Sequence, residues 1–110
     1  MKNHEMTGRL PLFDGTNFGF WKKRMSYYLM SLKLEVWIVI MNGYNAPPTL
    51  PTDQEERKAY IANAKDLNSI TSGITNSEFT KVLNYDSAKE VWDKLHDHHL
   101  KGALTMITSQ

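Results

Sequence analysis

Apolar positions in this chain recur at three- and four-residue steps, the spacing that indicates amphipathic helices. The first such segment pairs one apolar face, Phe18, Trp21, Met25, Tyr28, Leu29 and Leu32, with a polar side formed by Lys22, Lys23, Arg24 and Ser26. Thr16 or Asn17 can cap this helix. Just before it, Pro11 disfavours helix at Leu10, so we predict a short extended segment over residues 10–13.

The next apolar segment, Leu34 to Met41, is ambiguous. Its β-branched residues are typical of a strand. The short link from the first helix and the shared face of positions 34, 37, 38 and 41 favour a helix, which we predict. Gly43 is suited to end it with a left-handed cap.

Three capping-box patterns predict the starts of three further helices after a loop over residues 44–51. They are Thr52 with Glu55, Thr75 with Glu78, and Ser87 with Glu90. The third helix should extend to about Thr71. The predicted inward residues are Tyr60, Ala64, Leu67 and Ile70 in the third helix, Phe79, Val82 and Leu83 in the fourth, and Ala88, Val91, Trp92, Leu95 and His99 in the fifth.

These elements predict an all-α fold, a compact bundle of about five short helices with a short extended N-terminal segment. A length of 110 residues fits one domain. We expect a flexible N-terminus over residues 1–9 and the helical domain over 10–102. Residues 103–110 are expected to be a tail, either disordered or the start of a missing element.

The composition bears on three classes of function, namely nucleic-acid binding, cysteine chemistry and membrane association. The formal net charge of +1 gives little drive toward nucleic acid or membranes. The absence of cysteine excludes thiol chemistry and cysteine zinc sites from this sequence. The longest apolar run, residues 36–41, is far shorter than the roughly 20 residues that span a bilayer. We therefore expect no membrane association.

Two polar clusters suggest chemistry, but each has a simpler structural explanation. His96 and His99 have a spacing that could share a metal ion, yet no further ligand completes a site, so we interpret them as C-terminal residues of the fifth helix. His99 is also expected to be a partly buried packing residue. The acidic residues near position 55 suit a helix N-terminus. No catalytic set can be assembled, so the expectation is a non-enzyme with no cofactor, no metal and no small-molecule substrate.

Lys22, Lys23 and Arg24, beside Trp21, Tyr27 and Tyr28, could form a basic and aromatic RNA-binding patch. The simpler interpretation places the aromatic rings in the core and the three cations on a solvated face. We keep weak RNA contact as an alternative.

Three segments together resemble the N-terminal part of Gag polyproteins from copia-type LTR retrotransposons. The first resembles the family's Phe-Asp-Gly-x-Asn-aromatic and Trp pattern, and the second its Leu and Trp element with a closing glycine. The third resembles its Ala-Lys-Glu-x-Trp-x-x-Leu segment. The matching residues are Phe13, Asp14, Gly15, Asn17, Phe18, Trp21, Leu34, Trp37, Gly43, Ala88, Lys89, Glu90, Trp92 and Leu95.

The resemblance implies a fold similar to the N-terminal lobe of retroviral capsid proteins, self-association into a shell, packaging of element RNA, and no catalysis. It places the protein in the cytoplasm, or in the nucleus if a host gene derives from the element. The family's second helical half and its Cys-His zinc knuckle have no counterpart here, so a truncated or host-derived gene is expected.

The partner expected from these observations is a second copy of the chain, forming a dimer through the exposed faces of helix one and the 44–51 loop. Pairing or exchange of segment 10–13 is another route to a dimer. The alternatives are a host-adapted adaptor that binds a peptide of another protein in a groove, and a weakly RNA-binding Gag fragment.

Overall fold

The computed structural model describes residues 9–101, so the predictions for residues 1–8 and 102–110 lie outside it. Within this range the chain forms an all-α bundle, as the sequence predicts. Its five α-helices are α1 (Phe18–Leu32), α2 (Leu34–Asn42), α3 (Gln54–Ser72), α4 (Asn76–Phe79) and α5 (Ala88–His96). A 3-10 turn, Thr80–Val82, continues α4, and a π-helical turn, Asp97–Lys101, continues α5.

The extended segment before α1 is anchored to the end of α3. The backbone N–H of Phe13 donates to the Gly73 carbonyl at 2.7 Å, and the Phe13 carbonyl accepts from Thr75 N–H at 3.1 Å. These bonds make one parallel bridge between Phe13 and Ile74. The segment therefore has a fixed position against the bundle, and the Phe13 ring is buried.

The core lies between α1, α2, α3 and α5, with α3 packed on α2 and α5. The faces of α1 and α5 are largely as the sequence predicts. Their fully buried or nearly buried side chains are Phe18, Trp21, Met25 and Leu29 in α1, and Ala88, Val91, Trp92 and Leu95 in α5.

The α2 segment is a helix, as predicted, but a different face is buried. Val36, Val39 and Ile40 enter the core, whereas Leu34 is 71% exposed and Met41 57% exposed. Every position from 36 to 41 is apolar, so periodicity alone could not choose the face. The packing of α2 between α1 and α3 made the choice.

The inward face of α3 is also partly mispredicted. Ile70 is buried and Leu67 packs against the core, but Ala64 is exposed. The buried face instead carries three polar residues, Asn63, Asp66 and Ser69. In the following turn, Leu83 is 59% exposed rather than inward, while Val82 is buried.

The predicted helix caps need correction as well. Asp53, not Thr52, caps α3 by accepting the Glu56 N–H at 3.0 Å. Asn17 precedes α1 in a left-handed conformation, with φ 55°, and makes no side-chain cap bond. Ser87 and Thr75 precede α5 and α4, but their side chains likewise accept no capping hydrogen bond. Gly43 ends α2 with a positive φ of 87°, and its N–H donates to the Val39 carbonyl, but its ψ of 161° lies outside the left-handed helical region that the sequence predicts.

None of the helices within residues 9–101 combines the length and the apolar character needed to cross a bilayer.

Candidate functional site

The aromatic residues of the three segments meet in one cluster. The Phe13 ring centre lies 5.4 Å from that of Phe18 and 5.3 Å from that of Trp21. Trp21 in turn lies 5.8 Å from Trp92, and Trp92 lies 6.3 Å from Trp37. Segments that are far apart in sequence thus share one packed unit, since aromatic pairs at these distances attract each other beyond their burial.

The polar residues of the first segment shape the entry into α1. Asp14 accepts hydrogen bonds from the Thr16 backbone N–H at 3.0 Å and from the Thr16 hydroxyl at 2.7 Å. These bonds lower the pKa of the Asp14 carboxyl. Gly15 has φ 103°, and a Cβ there would lie 3.3 Å from Glu78 Oε2. Asp14, Gly15 and Asn17 therefore serve a turn that seats Phe13 and Phe18.

Of the other motif residues, Ala88, Leu95 and Trp37 also pack in or against the core, whereas Leu34 and Glu90 are exposed. Most of the residues singled out by resemblance are therefore structural in this chain. They determine how the segments pack and leave little reactive or binding chemistry at the surface.

A polar cluster, in which Glu78 is buried and Lys81 is exposed, lies beside the aromatic unit. Glu78 Oε1 lies 2.7 Å from His99 Nε2, and Glu78 Oε2 lies 2.8 Å from Lys81 Nζ. Burial by itself raises the pKa of Glu78, but the bonds from Lys81 and His99 outweigh it and the pKa lies below its usual value. The imidazole of His99 also stacks on Phe18 at 5.1 Å between centroids. The cluster thus joins the π-helical turn to α4.

Lys22 does not lie on a solvated face with Lys23 and Arg24, as the sequence had suggested. Its ammonium donates to Nδ1 of His96 at 2.7 Å and lies 5.6 Å from the centre of the Trp92 ring. Burial lowers the pKa of Lys22, although Asp93 and Asp97 favour its charge. Only two cations of the predicted RNA patch are therefore directed outward.

The two histidines of the predicted metal pair have different partners. His96 contacts Lys22 and His99 contacts Glu78, so the pair is not directed at one point. Within residues 9–101 no three His, Asp or Glu side chains are grouped so that they could hold a metal ion.

Asp66 is a buried carboxyl that the sequence analysis missed. The residue has no exposed surface, and neither carboxyl oxygen has a hydrogen-bond partner within residues 9–101. Burial raises its pKa to about 8. The sequence does contain a signal for its burial, because Asp66 lies four residues before Ile70 and therefore on the same helical face.

The outer side of α1 carries a second apolar stripe, opposite the buried one. Phe20 is 70% exposed, Tyr27 60% and Met30 44%. Seven- and three-residue steps place them on one face. Arg24 lies 5.8 Å from the Phe20 ring centre and Lys23 lies 5.9 Å from that of Tyr27, so cations cover part of the stripe.

A second exposed stripe follows on α2. Leu34, Ile38 and Met41 are separated by four and three residues and therefore share a face. Each is more than two-fifths exposed. Isolated apolar side chains are normal on protein surfaces, so the feature of note here is that three of them share one face of a helix.

A groove of about 880 Å³ lies between the extended segment and α1. Its walls combine apolar, aromatic and cationic side chains, including Leu10, Leu12, Arg9, Arg24, Tyr27 and Tyr28. No carboxylate is among its lining residues. This groove and the two stripes are the surfaces of the described chain best suited to bind another molecule.

The chain matches no protein-family model, no curated protein and no solved structure. The resemblance to copia-type Gag therefore remains a prediction from the sequence.

Proposed function

We propose that this chain is a non-catalytic, Gag-like protein–protein interaction domain that associates with copies of itself. The observation that carries the proposal is the pair of unpartnered apolar stripes, one on α1 and one on α2. Each helix is already packed on its other side, so these stripes add nothing to the bundle. Burying them against a second protein would remove apolar surface from water, which favours association.

The aromatic cluster gives separate support to the Gag-like part of the proposal. The resemblance depends on residues such as Phe13, Trp21 and Trp92, and these pack together although more than seventy positions separate the first from the last. Proteins of one fold family are expected to share the residues that form their common core. The proposed fold is a capsid-type N-terminal lobe, and the proposed role is capsid-type assembly.

Segment 10–13 is a less suitable route to a dimer. Phe13 is 1% exposed and both of its backbone hydrogen-bonding groups are used within the chain. Exchange between copies would require these bonds to break and form again. We therefore place the association on exposed surfaces of the closed bundle.

The test is the mass of the full chain by light scattering on a sizing column, from low micromolar to near-millimolar concentration. We expect the mass to rise to a dimer or beyond. Ile38→Lys should weaken this association by at least about tenfold, because it places a charge in the α2 stripe. Leu83→Lys is the matched control, since Leu83 is also exposed but lies outside both stripes.

Both variants should keep the thermal melt of the wild type because both positions are exposed. A wild-type chain that stays monomeric over the whole range contradicts self-association. A monomer would direct attention to the alternative, an adaptor that binds a peptide of another protein.

RNA contact is a second candidate, favoured by the two cation–aromatic pairs on the outer face of α1. Exposed rings next to cations can stack with single-stranded bases. Binding of this type should weaken steeply as salt increases. A fluorescent single-stranded RNA that shows no binding to the chain at low salt contradicts it.

A further inference from the structure

We propose that the groove beside α1 is a docking site for an acidic tip on a second copy of this chain. The tip consists of Leu50, in the loop after α2, and of Glu55 and Glu56, in the first turn of α3. This inference rests on the proposed self-association and adds a second contact between copies, separate from the α2 stripe. Its basis is the match in charge and in apolar character between groove and tip.

The groove has a cationic and apolar lining with fixed walls. Arg9 and Arg24 are exposed, and neither forms an ion pair with a carboxylate of residues 9–101. The extended wall is held by the Trp21 indole N–H, which donates to the Pro11 carbonyl at 3.3 Å. The bridge at Phe13 holds the same wall at its other end. A groove with fixed walls loses little conformational entropy when it is occupied.

The tip offers the complementary features. Leu50 is 61% exposed, and the Glu55 side chain is 82% exposed. Glu56 is also exposed. Arg57 Nε donates to the Pro51 carbonyl at 2.7 Å, which fastens the loop to the start of the helix. Leu50 thus lies before this braced turn and the two carboxylates follow it, Glu55 also forming a surface ion pair with Lys58 at 3.5 Å.

The chemistry of the two surfaces pairs naturally. Carboxylates can accept two parallel hydrogen bonds from a guanidinium, the strongest common form of ion pair. Leu50 would then enter the apolar part of the groove between the segment leucines and the tyrosines of α1. A volume of about 880 Å³ has room for such an apolar side chain and its flanking carboxylates.

Because groove and tip are different surfaces, each copy has both halves of the contact. Two copies can therefore bind reciprocally, or a row of copies can bind head to tail. Either arrangement uses the same pair of surfaces.

The experiment uses charge reversal on each side, measured by light scattering on the full chain. Arg24→Glu should weaken self-association at least about tenfold, because it places like charges opposite each other. The double variant Glu55→Arg, Glu56→Arg should do the same from the other side. An equimolar mixture of the two variants should recover association, since one supplies an intact tip and the other an intact groove.

Matched controls separate a specific contact from a general charge effect. Lys65→Glu makes the same change in net charge at an exposed position on α3, outside the groove lining and both stripes. Glu90→Arg is the exposed acidic control on α5. Both should associate like the wild type. All variants should remain folded, and only the Glu55→Arg, Glu56→Arg variant should melt at a lower temperature, because it places two cations at the N-terminus of α3.

Three results would overturn the inference. The first is a wild type that associates while the Arg24 and Glu55/Glu56 variants associate equally well, which would leave the proposed function standing. The second is a Lys65→Glu effect as large as that of Arg24→Glu. The third is a mixture that stays monomeric. A monomeric wild type would instead contradict the proposed function itself.

Discussion

The Asn63 side-chain carbonyl accepts a hydrogen bond from the backbone N–H of Ala88, the first residue of α5, at 2.9 Å. The Asn63 amide also donates to the Asp86 carbonyl at 3.3 Å. A residue in the middle of α3 thus caps a helix that begins 25 positions later. The local sequence assigns that task to Ser87, which makes no side-chain cap bond.

We therefore expect Asn63→Ala to lower the free energy of unfolding by about 1–3 kcal/mol, since it leaves a buried N–H of α5 unpaired. Ser87→Ala should change it by less than about 0.5 kcal/mol. Urea denaturation followed by circular dichroism measures both. A larger loss for Ser87→Ala than for Asn63→Ala would show that capping is local after all.

Gly73 is expected to tolerate no side chain. A Cβ there would lie 2.6 Å from Met25 Cε and 2.7 Å from the Pro11 carbonyl oxygen. The methionine can move, but the carbonyl belongs to the anchored segment. Gly73→Ala should therefore destabilise the fold by about 1–3 kcal/mol.

Gly19 is the matched control because it lies within α1 and an added Cβ would meet nothing within 4 Å. Gly19→Ala should stabilise the chain by roughly 0.5–1 kcal/mol through its higher helix propensity. Thermal melts of the two variants should shift in opposite directions. Equal shifts would contradict the close approach of segment 10–13 to α3.

Asp66 should make stability depend on pH. Its pKa is about 8 in the folded chain, against an ordinary value of 3.8. Well below pH 3.8 it is protonated in both states and imposes no pH-dependent cost. As the pH rises from there, the unfolded chain ionises first, so stability falls by up to about 1.4 kcal/mol per pH unit. The loss is complete once the pH passes the folded value.

Asp66→Asn removes this titration and should flatten the stability profile between pH 4 and 8. At pH 8 the variant should unfold at a higher denaturant concentration than the wild type, with the difference shrinking toward pH 4. Asp86→Asn, at an exposed position, should retain the wild-type slope. Parallel profiles for the wild type and Asp66→Asn would refute a carboxyl that is held neutral by burial.

Trp92 should be a main source of stability. It is 7% exposed and contacts the rings of Trp21 and Trp37. Trp92→Ala should lower the free energy of unfolding by roughly 3–5 kcal/mol. Typical domains have about 5–15 kcal/mol in total, so the variant should be close to unfolding. Tyr27→Ala is the control, because that ring is exposed. A thermal melt of Trp92→Ala near that of the wild type would contradict the central position of the Trp92 ring.

Local sequence was sufficient to predict the existence and the extent of most helices. The buried face of α5, and most of that of α1, follows from apolar residues that recur with the helical period. The outer side of α1 also carries apolar residues, which periodicity alone does not assign to the surface. The turn at Asp14-Gly15 and the ends of α2 and α3 at Gly43 and Gly73 likewise follow from residues next to them. Helix type and turn chemistry depend on neighbours in the chain, which a sequence displays directly.

Tertiary packing decided what depends on distant partners. It chose the buried face of α2, where apolar residues surround the helix, and it buried Asp66. It turned Lys22 toward His96, and it joined His99 to Glu78. The groove beside α1 also exists only because segment 10–13 is seated on α3. These features arise from contacts between residues far apart in sequence, and periodicity along one segment carries no information about which distant side chain will lie opposite it.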